Sequence, residues 1–332
     1  MKLKRTVFIN GLWIILGDDE MKKQTSSRNI SVVSMLLLAI LSFTNACQVN
    51  GGYDKVYEDS LDFVRYDSQS NSLWMSEFVG SEILNLELDS GGSVRIVDIP
   101  RDRVVTSICT ATDIWIGLLD TATEEFSIYR YDRQTAKWKD YHNFETAKCK
   151  TLSNGSVVFW SRNKLLPLAS DAIGAIISTP YAAGDVSRDN SGAYWLTTDS
   201  GEIFQYDNSE GWISKFDALG NSYLFFDTSN YLWVVNYDEV RRYNISNENY
   251  EFETLIKTDL GIKQSVFEDR NGTIWVIGTT TIISWNGGVM KEMVLPAGVT
   301  LVRFGDYDPS TNNLFLSTDN GIYSLQLDTL DR

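Results

Sequence analysis

The sequence predicts an all-β fold, a seven-bladed β-propeller of four-stranded antiparallel blades, and three observations carry that prediction. One short phrase recurs seven times at a nearly constant interval, each interval divides into strand-like runs, and none of those runs has helical periodicity. The phrase is a turn rich in Asp, Asn, Ser or Gly, followed by an apolar residue, a large aromatic and another apolar residue. It centres on Trp74, Trp115, Trp195, Trp233, Trp275 and Phe315, and a degenerate copy puts Val158 at the aromatic position. Successive spacings are 41, 43, 37, 38, 42 and 40 residues, so the seven copies nearly fill residues 53–332.

The second unit shows how an interval is built. Residues 104–110, 114–118, 126–131 and 137–144 are short, aromatic or β-branched runs separated by polar turns. Four short strands at this period are the signature of a propeller blade. A sheet that small cannot bury both faces alone, so it must stack on its neighbours around an axis. The recurrent Trp falls in the second strand, where its indole fills the gap of about 10 Å between stacked sheets. Pro100, Pro180 and Pro296 fall between the fourth strand of one unit and the first of the next, where no ladder hydrogen bond is lost. After Phe315 the chain has room for one more strand, at 321–327. The seventh blade therefore lacks its outermost member, and residues 55–58 are expected to supply it, closing the ring without a covalent link.

The amino terminus reads as an address. Apolar stretches at 7–16 and 32–41 are each shorter than the roughly 20 residues that span a bilayer. The second follows Lys22, Lys23 and Arg28 and leads into small and polar residues before Cys47, the order of a secretory signal. The expected organisation is an upstream extension at 1–20 with Met21 as the true start, a signal peptide at 21–46, a polar tether at 47–52 and the propeller at 53–332. The segment Phe43-Thr44-Asn45-Ala46-Cys47 resembles the lipobox of bacterial lipoproteins, which implies lipidation of Cys47 and, since Gln48 is not Asp, an outer-membrane destination facing the periplasm. Cleavage to a soluble exported protein and an uncleaved anchor remain open beside it.

Composition bounds the function. The chain is 43 % apolar and 12 % aromatic, which permits a large core, and its net charge is −15. Removal of residues 1–46 takes away six basic and three acidic residues and leaves −18. Such a surface repels phosphate backbones and anionic head groups, so nucleic acid is not an expected partner and membrane contact is expected through the lipid alone. One histidine, His142, and three cysteines make a His-based metal site or a zinc module hard to build, and no cofactor is expected.

The phrase Ser265-Val-Phe-Glu-Asp269-Arg-Asn-Gly272-Thr-Ile-Trp275-Val-Ile-Gly278 resembles the repeat of two-component regulator propellers, and Asp185-Val-Ser-Arg-Asp189-Asn-Ser-Gly192-Ala-Tyr-Trp195 is similar. That resemblance implies a propeller of the kind found in periplasmic sensor regions and related exported proteins. The repeats are also similar to those of streptogramin lyases, which place histidine and a metal near the central channel. His142, on an outer strand, does not reproduce that arrangement.

Several residues admit a functional and a structural reading. Asp189 and Asp269 lie six residues before their Trp in D-x-x-G turns; no segment offers the alternating acidic pattern of a calcium loop, so they are expected to cap the turns. Cys109 and Cys149 fall on the first strands of adjacent blades, where a disulfide would contribute roughly 2–4 kcal/mol, but two buried free thiols are the expected state. Arg101, Arg103, Lys148 and Lys150 precede or open the inner strands of blades two and three and would form a positive spot at a channel mouth, suited to a carboxylate or an acidic partner segment, or a solvated rim. Trp138 and Trp212, on outer strands, mark either a partner face or blade-edge packing. The expected function is a monomeric exported binding or scaffolding module for an envelope protein or glycan. A propeller lyase or hydrolase and an accessory periplasmic ligand sensor are the rival readings.

Overall fold

The computed structural model describes residues 5–9, 12–16 and 52–330, less 79, 89–91, 101, 143, 145–147, 153, 162, 170–171, 248, 258–260 and 262. It divides into two units, Met1–Val49 and Asn50–Arg332. In the first, Arg5–Ile9 pairs antiparallel with Leu12–Leu16. The expected signal peptide at 21–46, the lipidation residue Cys47 and all of the tether but Gly52 lie outside the described residues.

The second unit is a seven-bladed β-propeller. Its innermost strands are Phe63–Asp67, Arg103–Thr110, Lys148–Thr151, Ala183–Arg188, Tyr223–Phe226, Lys263–Glu268 and Val302–Asp308, each the first strand of an antiparallel blade that runs outward in chain order. Contacts between innermost strands link blade 1 to 2, 2 to 3, 4 to 5, 5 to 6, 6 to 7 and 7 back to 1; between blades 3 and 4 the second strand Val157–Trp160 meets Ala183–Arg188. The seventh blade is completed by Tyr53–Tyr57, which pairs with Gly321–Gln326 so that Tyr53 lies opposite Leu325. This is the overlap of chain ends that the strand count required.

The aromatic of each second strand is buried, and it packs onto the next blade. Trp74 meets Tyr131 at 4.8 Å and Trp138 at 5.9 Å, Trp195 meets Phe226 at 5.7 Å, Trp233 meets Trp285 at 5.2 Å, and Phe315 meets Tyr66 of blade 1 at 5.6 Å. Trp115 shares a core with Cys149, Val157 and Phe159 of blade 3, and Trp275 one with Val302 and Leu314 of blade 7. The core is thus a ring of inter-blade layers, and each large side chain buried there contributes on the order of 2 kcal/mol. Val158 is fully buried at the same position, with less bulk.

Blade 3 departs from the regular pattern. Its third strand, Lys164–Ala169, contains Pro167, and the outer strand beside it is broken into Ala172–Ile173 and Ile177–Ser178. Proline has no N–H to donate across the ladder, so pairing stops there. The Pro167 carbonyl is satisfied by the Gly174 N–H at 2.9 Å.

Candidate functional site

The turns at the ends of the inner strands lock the ring by two chemistries. In blades 4, 5 and 6, Asp189, Asp227 and Asp269 accept through Oδ1 from the backbone N–H four residues on, at 2.9, 2.8 and 2.9 Å, and through Oδ2 from the Nε1–H of Trp195, Trp233 and Trp275, at 2.8, 2.8 and 3.0 Å. Each carboxylate therefore caps a turn and anchors a core indole. Among the described residues no group of three or more His, Cys, Asp or Glu side chains is placed to hold a metal.

Blades 1 and 7 use tyrosine and asparagine instead. Tyr66 Oη donates to Asn71 Oδ1 at 3.0 Å and Tyr307 Oη to Asn312 Oδ1 at 2.7 Å, with both asparagines in the left-handed region at φ 45° and 58°. Trp74 Nε1 has no acceptor among the described residues. Here the aspartate sits one position earlier: Asp67 receives the Arg133 guanidinium of blade 2 through two hydrogen bonds of 2.6 and 2.9 Å. Burial opposes its charge, but the bonds from Arg133 and Ser70 prevail and hold the Asp67 carboxyl below its usual range.

The innermost strands enclose a central channel with a waist. Arg65, Lys150, Tyr223 and Phe304 border both the cavity above it and the cavity below, where the upper side is that on which the inner strands begin. At the waist the Arg65 guanidinium lies 4.0 Å over the Phe304 ring and donates to the Ile108 carbonyl at 2.9 Å. Lys150 Nζ lies 3.6 Å over the Tyr223 ring, pairs with Asp185 at 2.9 Å and donates to the Leu224 carbonyl at 2.5 Å. Asp185 in turn accepts from the Leu224 N–H at 2.7 Å. Asp306 faces Arg65 at 3.9 Å and accepts from the Tyr66 N–H at 2.7 Å. Burial pushes the Asp306 carboxyl up, and Arg65 counters this only in part because the pair is long. Burial likewise raises the Tyr223 hydroxyl, against the pull of Lys150.

The two cavities differ in size and in the turns around them. The lower one, about 1,090 Å³, is rimmed by turns whose polar groups bond to one another across blades: the Asn190 N–H to Asn230 at 2.9 Å, Glu268 to the Thr228 N–H and hydroxyl at 2.6 and 2.8 Å, and the Arg270 N–H to Tyr307 at 2.9 Å. The upper one, about 360 Å³, has walls of Phe63, Trp160, Tyr223, Tyr237 and Phe304 with polar groups from Thr106, Ser107, Lys148, Asp185, Asp199 and Asn221 among them. Near this mouth four inner strands carry a β-bulge, at Thr106, Gly184, Gln264 and Arg303. Bulges re-aim side chains and gather where a sheet meets a site.

The residues expected at a positive spot separate. Lys148 and Lys150 line the upper cavity, Lys148 with Nζ donating to the Gly184 carbonyl at 2.9 Å. Arg103 does not join them: it turns into its own blade, donating to Ser127 Oγ at 2.7 Å, 3.5 Å from Asp120, with its guanidinium 5.6 Å from the Tyr129 ring centre. Arg101 lies outside the described residues. Cys109 and Cys149 are buried free thiols side by side, and burial together with Cys109 pushes the Cys149 thiol well up. His142 ends the outer strand Lys137–His142 of blade 2. Trp138 packs edge-on against Tyr131 at 5.0 Å, and Trp212 donates to the Ser178 carbonyl of blade 3 at 2.8 Å, so both serve blade-edge packing.

Arg65, Asp185, Tyr223, Phe304 and Asp306 escaped the sequence reading. A signal for two of them was present. The residues paired with the seven recurrent positions are Arg65, Cys109, Lys150, Ser187, Phe225, Phe267 and Asp306, and charge in an innermost, half-enclosed ring marks the waist.

No family model and no curated protein matches the chain. Among solved structures it is similar to virginiamycin B lyase from Staphylococcus aureus, at 15 % identity and TM-score 0.61, over 82 % of this chain and 97 % of that one. It is also similar to the extracellular domain of a hybrid two-component system from B. thetaiotaomicron, at 14 % identity and TM-score 0.63, over 84 % of this chain and 42 % of that one. The WD40 propeller domain of Doa1 is similar at 12 % identity and TM-score 0.63, over 82 % and 96 %. These likenesses establish the propeller fold.

Proposed function

We propose that the protein is an envelope-exposed propeller that binds a ligand or partner, an envelope protein or glycan, on its upper face, and that it is held as a monomer at the outer membrane by a lipid on Cys47. The observation that supports binding on this face is the contrast between the two cavities. Aromatic side chains wall both cavities, but the lower turns satisfy one another across blades, whereas the upper mouth gathers four inner-strand bulges with polar groups from Lys148, Asp199 and Asn221 beside them. Phe78, 56 % exposed, and Tyr237, 42 % exposed, flank this mouth on turns between second and third strands and enlarge the apolar surface offered to a partner. Exposure at the envelope is supported by the secretory pattern before Cys47 and by the likeness to an extracellular domain.

The likeness to a two-component extracellular domain also favours a second reading, an accessory sensor that passes its ligand state to a separate membrane protein. A photo-crosslinking residue placed at Phe78 or Tyr237, and for comparison at Thr112 on the lower face, tests both in intact cells. The binding reading expects a reproducible product from the upper sites only, and the sensor reading expects its yield to change with growth substrate. Equal yield from the lower site removes the assignment of the upper face.

A further inference from the structure

The two cysteines of the propeller meet across a blade boundary. Cys109 lies on the inner strand of blade 2, opposite Trp115, and Cys149 on that of blade 3, opposite Phe159, and both side chains enter the core that those two blades share. The two thiols are close enough to hydrogen-bond. A disulfide between strands of different sheets needs the two backbones to stay near each other. Between blades 3 and 4 the contact passes to the second strand of blade 3, but the inner strands of blades 2 and 3 touch directly. The Thr151 hydroxyl donates to the Thr110 carbonyl at 2.7 Å, just beyond the two cysteines, and holds those strands together at that level.

The pair sits in the blade that most needs fastening. Blade 3 carries Val158 where the other six carry a buried aromatic, its third strand contains Pro167, and its outer strand is broken. Cys149 lies between Lys148 and Lys150, whose ammonium groups reach Gly184 and Asp185 of blade 4. A link from Cys149 back to blade 2 fixes the strand from which both lysines cross. In the reduced protein, burial and the neighbouring thiol hold the Cys149 thiol well above its ordinary range, so the closed ring contains little attacking thiolate. Cys109 is fully buried and leaves no room for a mixed disulfide with an oxidant. The link therefore has to form while the blades come together.

We propose that Cys109 and Cys149 join as a disulfide that staples blade 2 to blade 3, formed during folding by exchange with an oxidant that itself carries a disulfide. One cysteine thiolate attacks the oxidant's disulfide and expels one thiol; the other attacks the resulting mixed disulfide, closes the bond between Cys109 and Cys149 and expels the second thiol. Two electrons pass to the oxidant, whose two sulfurs leave as thiols with the two protons. The proposal rests on envelope exposure for its setting, because disulfides persist outside the cytosol. The two cysteines are 40 residues apart, so the staple closes a long loop and restricts the unfolded chain strongly.

The test refolds the reduced full-length chain from urea into oxidised glutathione, with Cys47→Ser so that only the two propeller thiols remain. The expected product is two hydrogens lighter than the reduced chain, and after proteolysis the fragments carrying Cys109 and Cys149 stay joined. Its thermal midpoint falls by roughly 5–10 °C when a reductant is added, and the reductant leaves the midpoint of Cys149→Ala unmoved. If Cys149→Ala does not fold, Cys109→Ser takes its place, and the comparison of the parent with and without reductant needs neither. Two free thiols after refolding, glutathione retained on either cysteine, or a link whose reduction leaves the midpoint unchanged overturns the proposal. Thiol trapping in intact cells reads the setting separately: cysteines that join on refolding but are free in cells count against envelope exposure and leave the staple standing.

Discussion

Blades 4 to 6 and the pair formed by blades 7 and 1 solve the same packing problem with different polar chemistry. In the first group a carboxylate six residues before the aromatic ties the turn to the indole, so Trp is required for its N–H as well as its bulk. In the second, a tyrosine hydroxyl holds an asparagine in the left-handed turn position, and the buried aromatic needs no polar handle. That is why the seventh copy can be Phe315, and why the indole nitrogen of Trp74 lacks an acceptor among the described residues. In blade 1 Asp67 also reaches blade 2 through Arg133, whereas in blade 7 Asp308 is held by Ser310 and Thr311 of its own turn.

Four substitutions and one pH series sharpen this comparison. The largest effect is expected for Arg133→Met, which leaves the fully buried Asp67 carboxylate without its counter-charge; urea unfolding should show a loss of about 3 kcal/mol. Asp269→Ala removes the acceptor of the Trp275 indole and of the Thr273 N–H together, and the same measurement should give about 2 kcal/mol. Trp275→Phe should cost about 1 kcal/mol more than Trp74→Phe, because only the former strands a buried carboxylate oxygen. Equal losses for the two tryptophans would dissolve the distinction between the blade groups.

The smallest effect is on pH dependence. The folded-state pKa of Asp67 lies below its unfolded value of about 3.9, so its contribution is fully present above that value and is lost as pH falls through the folded one. Urea midpoints measured from pH 6 down to pH 3 should fall less steeply in Arg133→Met than in the parent. A parallel decline would place the acid sensitivity elsewhere.

The sequence made the blades legible because each blade's pattern is local: turn, apolar residue, aromatic and apolar residue lie within one hairpin, and the prolines at 100, 180 and 296 punctuate it. Ring closure was legible for the same reason, as a count of strands. The waist was not, since its partners meet across blades: Arg65 faces Asp306 from the far end of the chain, and Lys150 finds Asp185 and Leu224 on two further blades. Arg103 shows the converse failure. A basic residue opening an inner strand looks like a channel residue in sequence, yet Ser127, Asp120 and Tyr129 of its own blade give it a nearer home. That Thr106 and Ser107 both border the upper cavity depends on a bulge, which alternation of apolar and polar residues cannot signal.

The pairing of Tyr53 with Leu325 also fixes when the molecule can be finished. The strand that completes the last blade is the first of the propeller to leave the ribosome, and its partner is the last. Until Gly321–Gln326 has emerged, Tyr53–Tyr57 has no ladder to join, and the apolar flank of the growing stack stays open at one end. Contacts this distant in sequence make assembly slow and leave unpaired strand edges exposed meanwhile. The ring can therefore snap shut only after its final blade has arrived.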